Sequence, residues 1–276
     1  MKTLTGDGIL MVDSPFLFRE FIDENMSQAC ALSAGSFRLG AIVRRKTEQK
    51  HTEDSAGIFQ LSQDCVVLAV ADGFGGQKSG DQASRIAIQE LGALLKGASP
   101  ERAREAILDA FQQGNRMILE QYPGAATTMV VAEVHQDFVR FFHAGDSTGL
   151  LIGGRGKLRF RTLEHNPVGY GAEAGLVSGN EKTLEETGHL VSNYLGSREL
   201  RVEVSIGIER RPRDRILVMS DGLSDNMDMN QTLRLKDPLL DCQSLADSAG
   251  RYMCEDERGK PDDLSLIILS EGRAPA

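Results

Sequence analysis

Nine short runs of apolar or alternating residues mark this chain, each bounded by glycine, charged or turn residues. SFRLGAIVR (36–44), SAGIFQL (55–61), CVVLAVA (65–71), TTMVVAEV (127–134), DFVRFFHA (137–144), TGLLI (148–152), EVSIGI (203–208), RILVMS (215–220) and LSLIILS (264–270) predict β-strands. Between the third and fourth runs the period changes to that of a helix. Ser79 to Lys96 carries Ala83, Ile86, Ala87, Leu91, Leu94 and Leu95 on one face, with Ser79 and Gln82 spaced as a capping box. A second helix is predicted from Ser99-Pro100 through Ala103, Ile107, Ala110, Phe111 and Ile118, ending before Pro123-Gly124. A third is predicted around Leu245 to Met253. Strand pairs joined by tight turns, with two consecutive helices between them, predict an α+β layered sandwich rather than a βαβ crossover fold.

Residues 1–32 lack clear periodicity and read as an N-terminal extension, with FLFREFIDEN (16–25) a short helix. One domain is expected over 33–270, followed by a tail at 271–276. Within that domain, about 159–201 is polar and irregular, as functional or mobile loops are. The 276 residues suit one large domain, and 41% hydrophobic content supports a sizeable core. A net charge of −9 argues against the basic stripe that nucleic-acid binding requires. Cys30, Cys65, Cys242 and Cys254 are scattered without a C-x-x-C pair, so neither a disulfide framework nor structural zinc is expected. The N-terminus has no basic region leading into a long apolar one, and no run approaches the roughly 18 apolar residues of a membrane span. A soluble cytoplasmic protein is the expectation.

The chemistry gathers at strand ends. CVVLAVA runs into Asp72-Gly73-Phe74-Gly75-Gly76, and RILVMS runs into Asp221-Gly222. Asp262-Asp263 immediately precedes the last strand, and Asp146 follows FVRFFHA. An Asp-Gly pair alone marks a turn. Several carboxylates brought together repel one another unless cations neutralise them, and an all-oxygen donor set suits Mg²⁺ or Mn²⁺. Metal-assisted hydrolysis is the reading that follows. His51 and His143 lie beside these motifs and read as hydrogen-bonded structural groups, while Thr127 and Thr128 read as satisfying backbone groups near the site.

The ordered set TEDS (52–55), ADGFGG (71–76), ATT (126–128), HAGDS (143–147), SDGLSD (220–225) and DDLS (262–265) resembles the metal-dependent serine/threonine phosphatases of type 2C, in their bacterial style. The resemblance implies a four-layer αββα sandwich, in which two central antiparallel sheets are flanked by helices. It implies two Mg²⁺ or Mn²⁺ ions and a weaker third. Asp72 would bridge two ions, the Gly73 carbonyl would ligate one of them, and Asp221 and Asp262 would complete the other's shell. Asp262 rather than Asp263 matches the family string. Asp146 would help hold the third ion, and Glu53 and Asp54 would act through metal-bound waters. Two-metal chemistry then lets a bridging water, as hydroxide, attack phosphorus in line. Where the family carries a phosphate-binding arginine this chain has Gln49, leaving Lys50, Lys46 and Arg45 as candidates; Phe74 stands where animal members carry histidine. The segment 159–201 matches the family's flap. The implied partner is a phosphorylated protein, with a serine/threonine kinase acting in opposition, and no nucleic acid or membrane. The alternative is a phosphoprotein-binding, regulatory module with little turnover.

Overall fold

The computed structural model describes residues 3–4, 10–11, 17–46, 50–74, 79–174 and 191–272. Thr3–Leu4 (β1) and Leu10–Met11 (β2) form a small antiparallel pair. Phe18–Ile22 (β3), Cys30–Ala34 (β4), Phe37–Arg44 (β5), Asp54–Ser62 (β6) and Cys65–Phe74 (β7) precede helices Gly80–Leu95 (α1) and Ala103–Gln121 (α2). Ala126–Thr127 (β8), Met129–His135 (β9), Phe138–Ala144 (β10), Thr148–Gly153 (β11) and Lys157–Arg161 (β12) lead to Pro167–Glu173 (α3). Glu203–Val204 (β13), Ile208–Glu209 (β14) and Arg215–Met219 (β15) follow, then Asp221–Ser224 (α4), Met229–Thr232 (α5), Pro238–Glu255 (α6) and Leu264–Glu271 (β16).

Two sheets result. One runs β13-β10-β9-β7-β6-β3, with β14 beside β10 and β8 beside β7; the other runs β12-β11-β15-β16-β5-β4. The ladders within these sheets are antiparallel. Side-chain alternation along β7 explains the layering. Val66, Leu68 and Val70 enter the core between the sheets, whereas Val67, Ala69 and Ala71 pack under α1 and α2. On the other sheet Ile267 and Leu269 face inward, while Leu266 and Ile268 pack under α6. The expected αββα sandwich is therefore the observed one. The same alternation sets the site: Asp72 has the parity of Val66, Leu68 and Val70, and Asp54 that of Ala56 and Ile58, so both carboxylates stand between the sheets.

Some local expectations change. Phe18–Ile22 is a strand on the edge of β6, not a helix, because Phe21 must enter the inter-sheet core while its backbone pairs with Ala56. With β4 pairing to β5 as well, the first 32 residues supply strands to both sheets. At α1, Ser79 makes no side-chain cap: its ψ of 10° departs from the extended conformation an N-cap residue takes. Pro100–Arg102 forms a 3-10 turn before α2 begins. The helix predicted around Leu245 starts earlier, at Pro238, where Asp237 accepts from Leu239 N and Leu240 N. Of the segment 159–201, β12, α3 and residues 191–201 are described, and 175–190 lie outside the described residues.

Candidate active site

At one end of the sandwich, adjacent strands from each sheet deliver their carboxylates to a common volume. Asp54 and Asp72 are direct cross-strand partners in β6 and β7. From the other sheet, Asp221 follows β15 and Asp262 precedes β16, while β15 and β16 are themselves paired. Two glycines permit this closeness. A Cβ on Gly73 would stand 2.0 Å from Gly80 O, and one on Gly222 would stand 1.8 Å from Asp263 O. The backbone around Asp72 is held from three sides: Thr128 Oγ1 accepts from Asp72 N at 3.1 Å, Thr127 Oγ1 donates to Asp72 O at 2.9 Å, and Glu53 O accepts from Gly73 N at 3.0 Å. Thr127 and Thr128 thus satisfy backbone groups at the site.

The electrostatics show crowding. Burial raises the Asp72 carboxyl well above its ordinary range, and Asp54, Asp221 and Asp262 push it further. Asp221, within hydrogen-bonding reach of Asp72, is pushed up to about 6 by burial, with Asp262 and Asp225 adding to it. Asp146 is buried and pushed up to about 8, first by desolvation and next by Asp221. Asp54, fully buried, is raised by desolvation and then by Asp263; Ser220 Oγ donates to its Oδ2 at 2.8 Å. Asp262 is raised mainly by burial, which outweighs the pull of Lys46. Asp54 Oδ1 and Asp221 Oδ1 are buried with no hydrogen-bond partner. Such oxygens are costly unless something neutralises them. Carboxylate oxygens at this density fit hard divalent cations.

The paired aspartates before β16 have different surroundings. Asp263 is buried and fully engaged: its Oδ1 accepts from Lys46 N at 2.7 Å, and its Oδ2 accepts from Thr52 Oγ1 at 3.1 Å and Glu53 N at 2.5 Å. It ties the TEDS segment to β16. Asp262 is part-exposed and faces Lys46 Nζ at 3.4 Å, with Glu53 Oε2 4.0 Å from the same ammonium. Of the three cationic candidates, the structure brings Lys46 to the carboxylates. Arg45 instead donates to Lys50 O, and Lys50 is exposed. Gln49, Gly75 and Gly76 lie outside the described residues. Phe74 packs edge-on against Tyr194 with centroids 5.2 Å apart.

Sequence reasoning passed over Asp225 and Glu164, which both bear on Asp146. Asp225 could have been found four residues after Asp221 in SDGLSD, on the same short helical turn. The histidines take structural places. His51 Nδ1 meets Asp23 Oδ2 at 2.8 Å on the surface. His143 Nε2 donates to Leu163 O at 2.7 Å, and its ring stacks on His165 with centroids 4.5 Å apart. His165 Nδ1 accepts from Gly145 N at 3.0 Å and Asn193 Nδ2 at 2.8 Å, which places its proton on Nε2, 3.1 Å from Glu203 Oε1. His143, His165 and Glu203 converge as a metal triad would. Yet both Nε2 atoms carry protons in this network, so neither offers a lone pair to an ion. The cluster fastens the loop of Asp146 to both ends of the segment 159–201 and to β13.

The likenesses to known proteins agree with this arrangement. The family model for Protein phosphatase 2C matches residues 44–252. The serine/threonine phosphatase stp of Listeria welshimeri is 26% identical over 231 residues, covering 79% of this chain and 90% of that protein. PstP of Mycobacterium tuberculosis is 30% identical over 210 residues, covering 73% of this chain and 40% of that protein. The catalytic domain of the phosphatase PstP, solved in complex with two manganese ions, has the same fold, with a TM-score of 0.68 at 23% identity over 86% of this chain and 99% of that one. With the sandwich and the strand-end carboxylates in agreement with a family match over residues 44–252, the chain belongs to the protein phosphatase 2C family.

Proposed function

We propose that this protein is a divalent-metal-dependent phosphatase that hydrolyses phosphoserine and phosphothreonine in proteins, using Asp72, the Gly73 carbonyl, Asp221 and Asp262 to hold two Mg²⁺ or Mn²⁺ ions. The observation that carries this reading is the set of raised, partly orphaned carboxylates where β7 meets the ends of β15 and β16. Asp146, close to Asp221, is the ligand for a weaker third ion, and Glu53 and Asp54 act from behind. The two manganese ions named for PstP support the choice of metal. When bound, such cations supply Lewis acidity toward the phosphoryl oxygens and an attacking water.

The chain's own groups do the rest. Thr127, Thr128 and the Glu53 carbonyl hold the Asp72–Gly73 backbone rigid, so its carboxylate is aimed before ligand arrives. Asp263 fixes Glu53 and the Lys46 backbone. Lys46 is the phosphate-binding candidate: it is a point charge held beside Asp262, raised above its ordinary range because Asp262, Asp263 and Glu53 outweigh burial. Lys50 and Arg45 are weaker candidates by position. Every proposed ligand is present, and nothing favours the low-turnover alternative.

We place the activity in the cytoplasm, opposing a serine/threonine kinase in signalling. Among the described residues no helix is long and apolar enough to cross a membrane. The test is release of phosphate from p-nitrophenyl phosphate and a phosphothreonine peptide with Mn²⁺. Activity is expected to vanish in chelator and in Asp72→Ala; an active Asp72→Ala protein would refute the assignment.

A further inference from the structure

At the pole opposite the carboxylates, a surface cavity of about 660 Å³ is lined by Arg38, Arg213, Arg215, Lys236, Asp237 and Ser270 among others. Its walls come from the far ends of the strands that carry the site. Arg215 opens β15, which leads to Asp221; Ser270 lies near the end of β16, which follows Asp262; Arg38 lies near the start of β5, which leads to Lys46. The eight residues of β16 separate the two poles by roughly 25 Å.

The cations here are gathered rather than scattered. Arg215 Nη1 donates to Arg213 O at 2.7 Å, and Nη2 donates to Lys236 O at 3.2 Å. One guanidinium thereby stitches two segments that each bring another cation alongside it. Those acceptors are carbonyls; the carboxylate that feels its charge is Asp241, whose Oδ2 is itself taken up by Lys236 N and Asp237 N. Arg215 Nε is buried and has no acceptor at all. Arg38 is paired with Asp237 at 3.0 Å, and Glu271, also on the wall, reaches toward Arg210 at 3.9 Å. No carboxylate lies within ion-pairing distance of Arg213, Arg215 or Lys236 among the described residues.

A tight turn just before β15 presents Arg213. Asp214 N donates to Arg211 O at 3.0 Å, closing a turn with Pro212 and Arg213 at its corners. Arg213 has φ +71°, a place normally taken by glycine or asparagine. An arginine there stands with Arg215 and Lys236 on one wall, and like charges so gathered repel one another unless an anion joins them. The cavity exceeds what a single phosphate fills and falls in the range of small-ligand sites. We propose that this cavity is a second, non-catalytic site that binds a polyphosphate chain, free or carried by a nucleotide, through Arg213, Arg215 and Lys236.

Titration calorimetry on the full chain in chelator tests it, with tripolyphosphate as probe. Without cations the carboxylate pole repels anions, so binding there does not contribute. Arg213 and Lys236 are exposed, and their variants keep the fold, which a melting curve verifies. Saturable binding of tripolyphosphate is expected, weakened about tenfold in Arg213→Ala and again in Lys236→Ala, falling with added salt, and unchanged in the distant Arg102→Ala. ATP binding with the same variant sensitivity assigns the site to a nucleotide-borne chain; tripolyphosphate alone binding assigns it to the free one. Absence of binding at millimolar probe, or undiminished binding in the Arg213→Ala/Lys236→Ala double variant, overturns the proposal.

Discussion

Replacing Asp221 with asparagine should stabilise the metal-free protein and forfeit its response to manganese. Asp221 is pushed from its ordinary 3.8 to about 6, chiefly by burial and then by Asp262 and Asp225, against a helpful bond from Asp72. At about 1.4 kcal/mol per pKa unit, ionising it within the fold costs about 3 kcal/mol. The folded state holds this proton more tightly than the unfolded chain. Stability from that group is therefore fully present below pH of about 4, declines as pH rises, and is gone above about 6. An asparagine side chain keeps the shape without the charge, so in chelator at pH 8 the Asp221→Asn variant should be about 3 kcal/mol more stable than wild type, a rise in Tm of roughly 6 °C. At pH 4 the two should melt together. Added Mn²⁺ should reverse the order, because an ion that binds only the folded state stabilises wild type by mass action and the variant far less. Melting curves at both pH values, with chelator and with Mn²⁺, suffice. A variant less stable than wild type in chelator at pH 8, or equal manganese stabilisation of both, would refute the view that these carboxylates are crowded to receive cations.

Other outcomes follow from the same geometry. Lys46→Ala should raise KM for a phosphothreonine peptide by about tenfold or more, the loss of one charge-assisted contact, with Lys46→Arg retaining most affinity; steady-state kinetics read this directly. Asp263→Ala leaves Thr52, Glu53 N and Lys46 N without their acceptor and should cost about 3 kcal/mol in urea unfolding, whereas Asp262→Ala should cost little stability and abolish turnover. His165→Ala frees Gly145 N and Asn193, and should weaken the Mn²⁺ dependence of activity through the Asp146 loop; His165→Gln, which can still accept from Gly145 N, should recover much of it. Thiol alkylation should leave activity intact: Cys65, pushed up to about 12 by burial, is unreactive.

The sandwich was legible because β6, β7, β9, β10, β15 and β16 are buried strands whose apolar runs end at polar turns. The strand-end aspartates were legible for a related reason, since a carboxylate at the end of an apolar run sits where a core strand emerges. What the chain concealed depends on contacts distant in sequence. FLFREFI can alternate as a strand or face one way as a helix, and only the open edge of β6 decides between them. The family likeness singles out Asp262, but nothing local shows that its neighbour Asp263 serves Lys46 N, Thr52 and Glu53 N, more than 200 residues away. Counting back from Glu53 leads to Gln49, whereas the path of the chain after β5 carries Lys46 to the carboxylates. The Ser79 cap fails because the chain enters α1 with Ser79 at ψ 10°, a conformation the residue pattern does not reveal.

Anomalous diffraction from crystals grown in Mn²⁺ tests most directly whether cations collect between the two sheets. Two manganese peaks are expected beside Asp72, one of them shared with Asp221 and Asp262. Manganese peaks elsewhere, with none among these three aspartates, would contradict this placement.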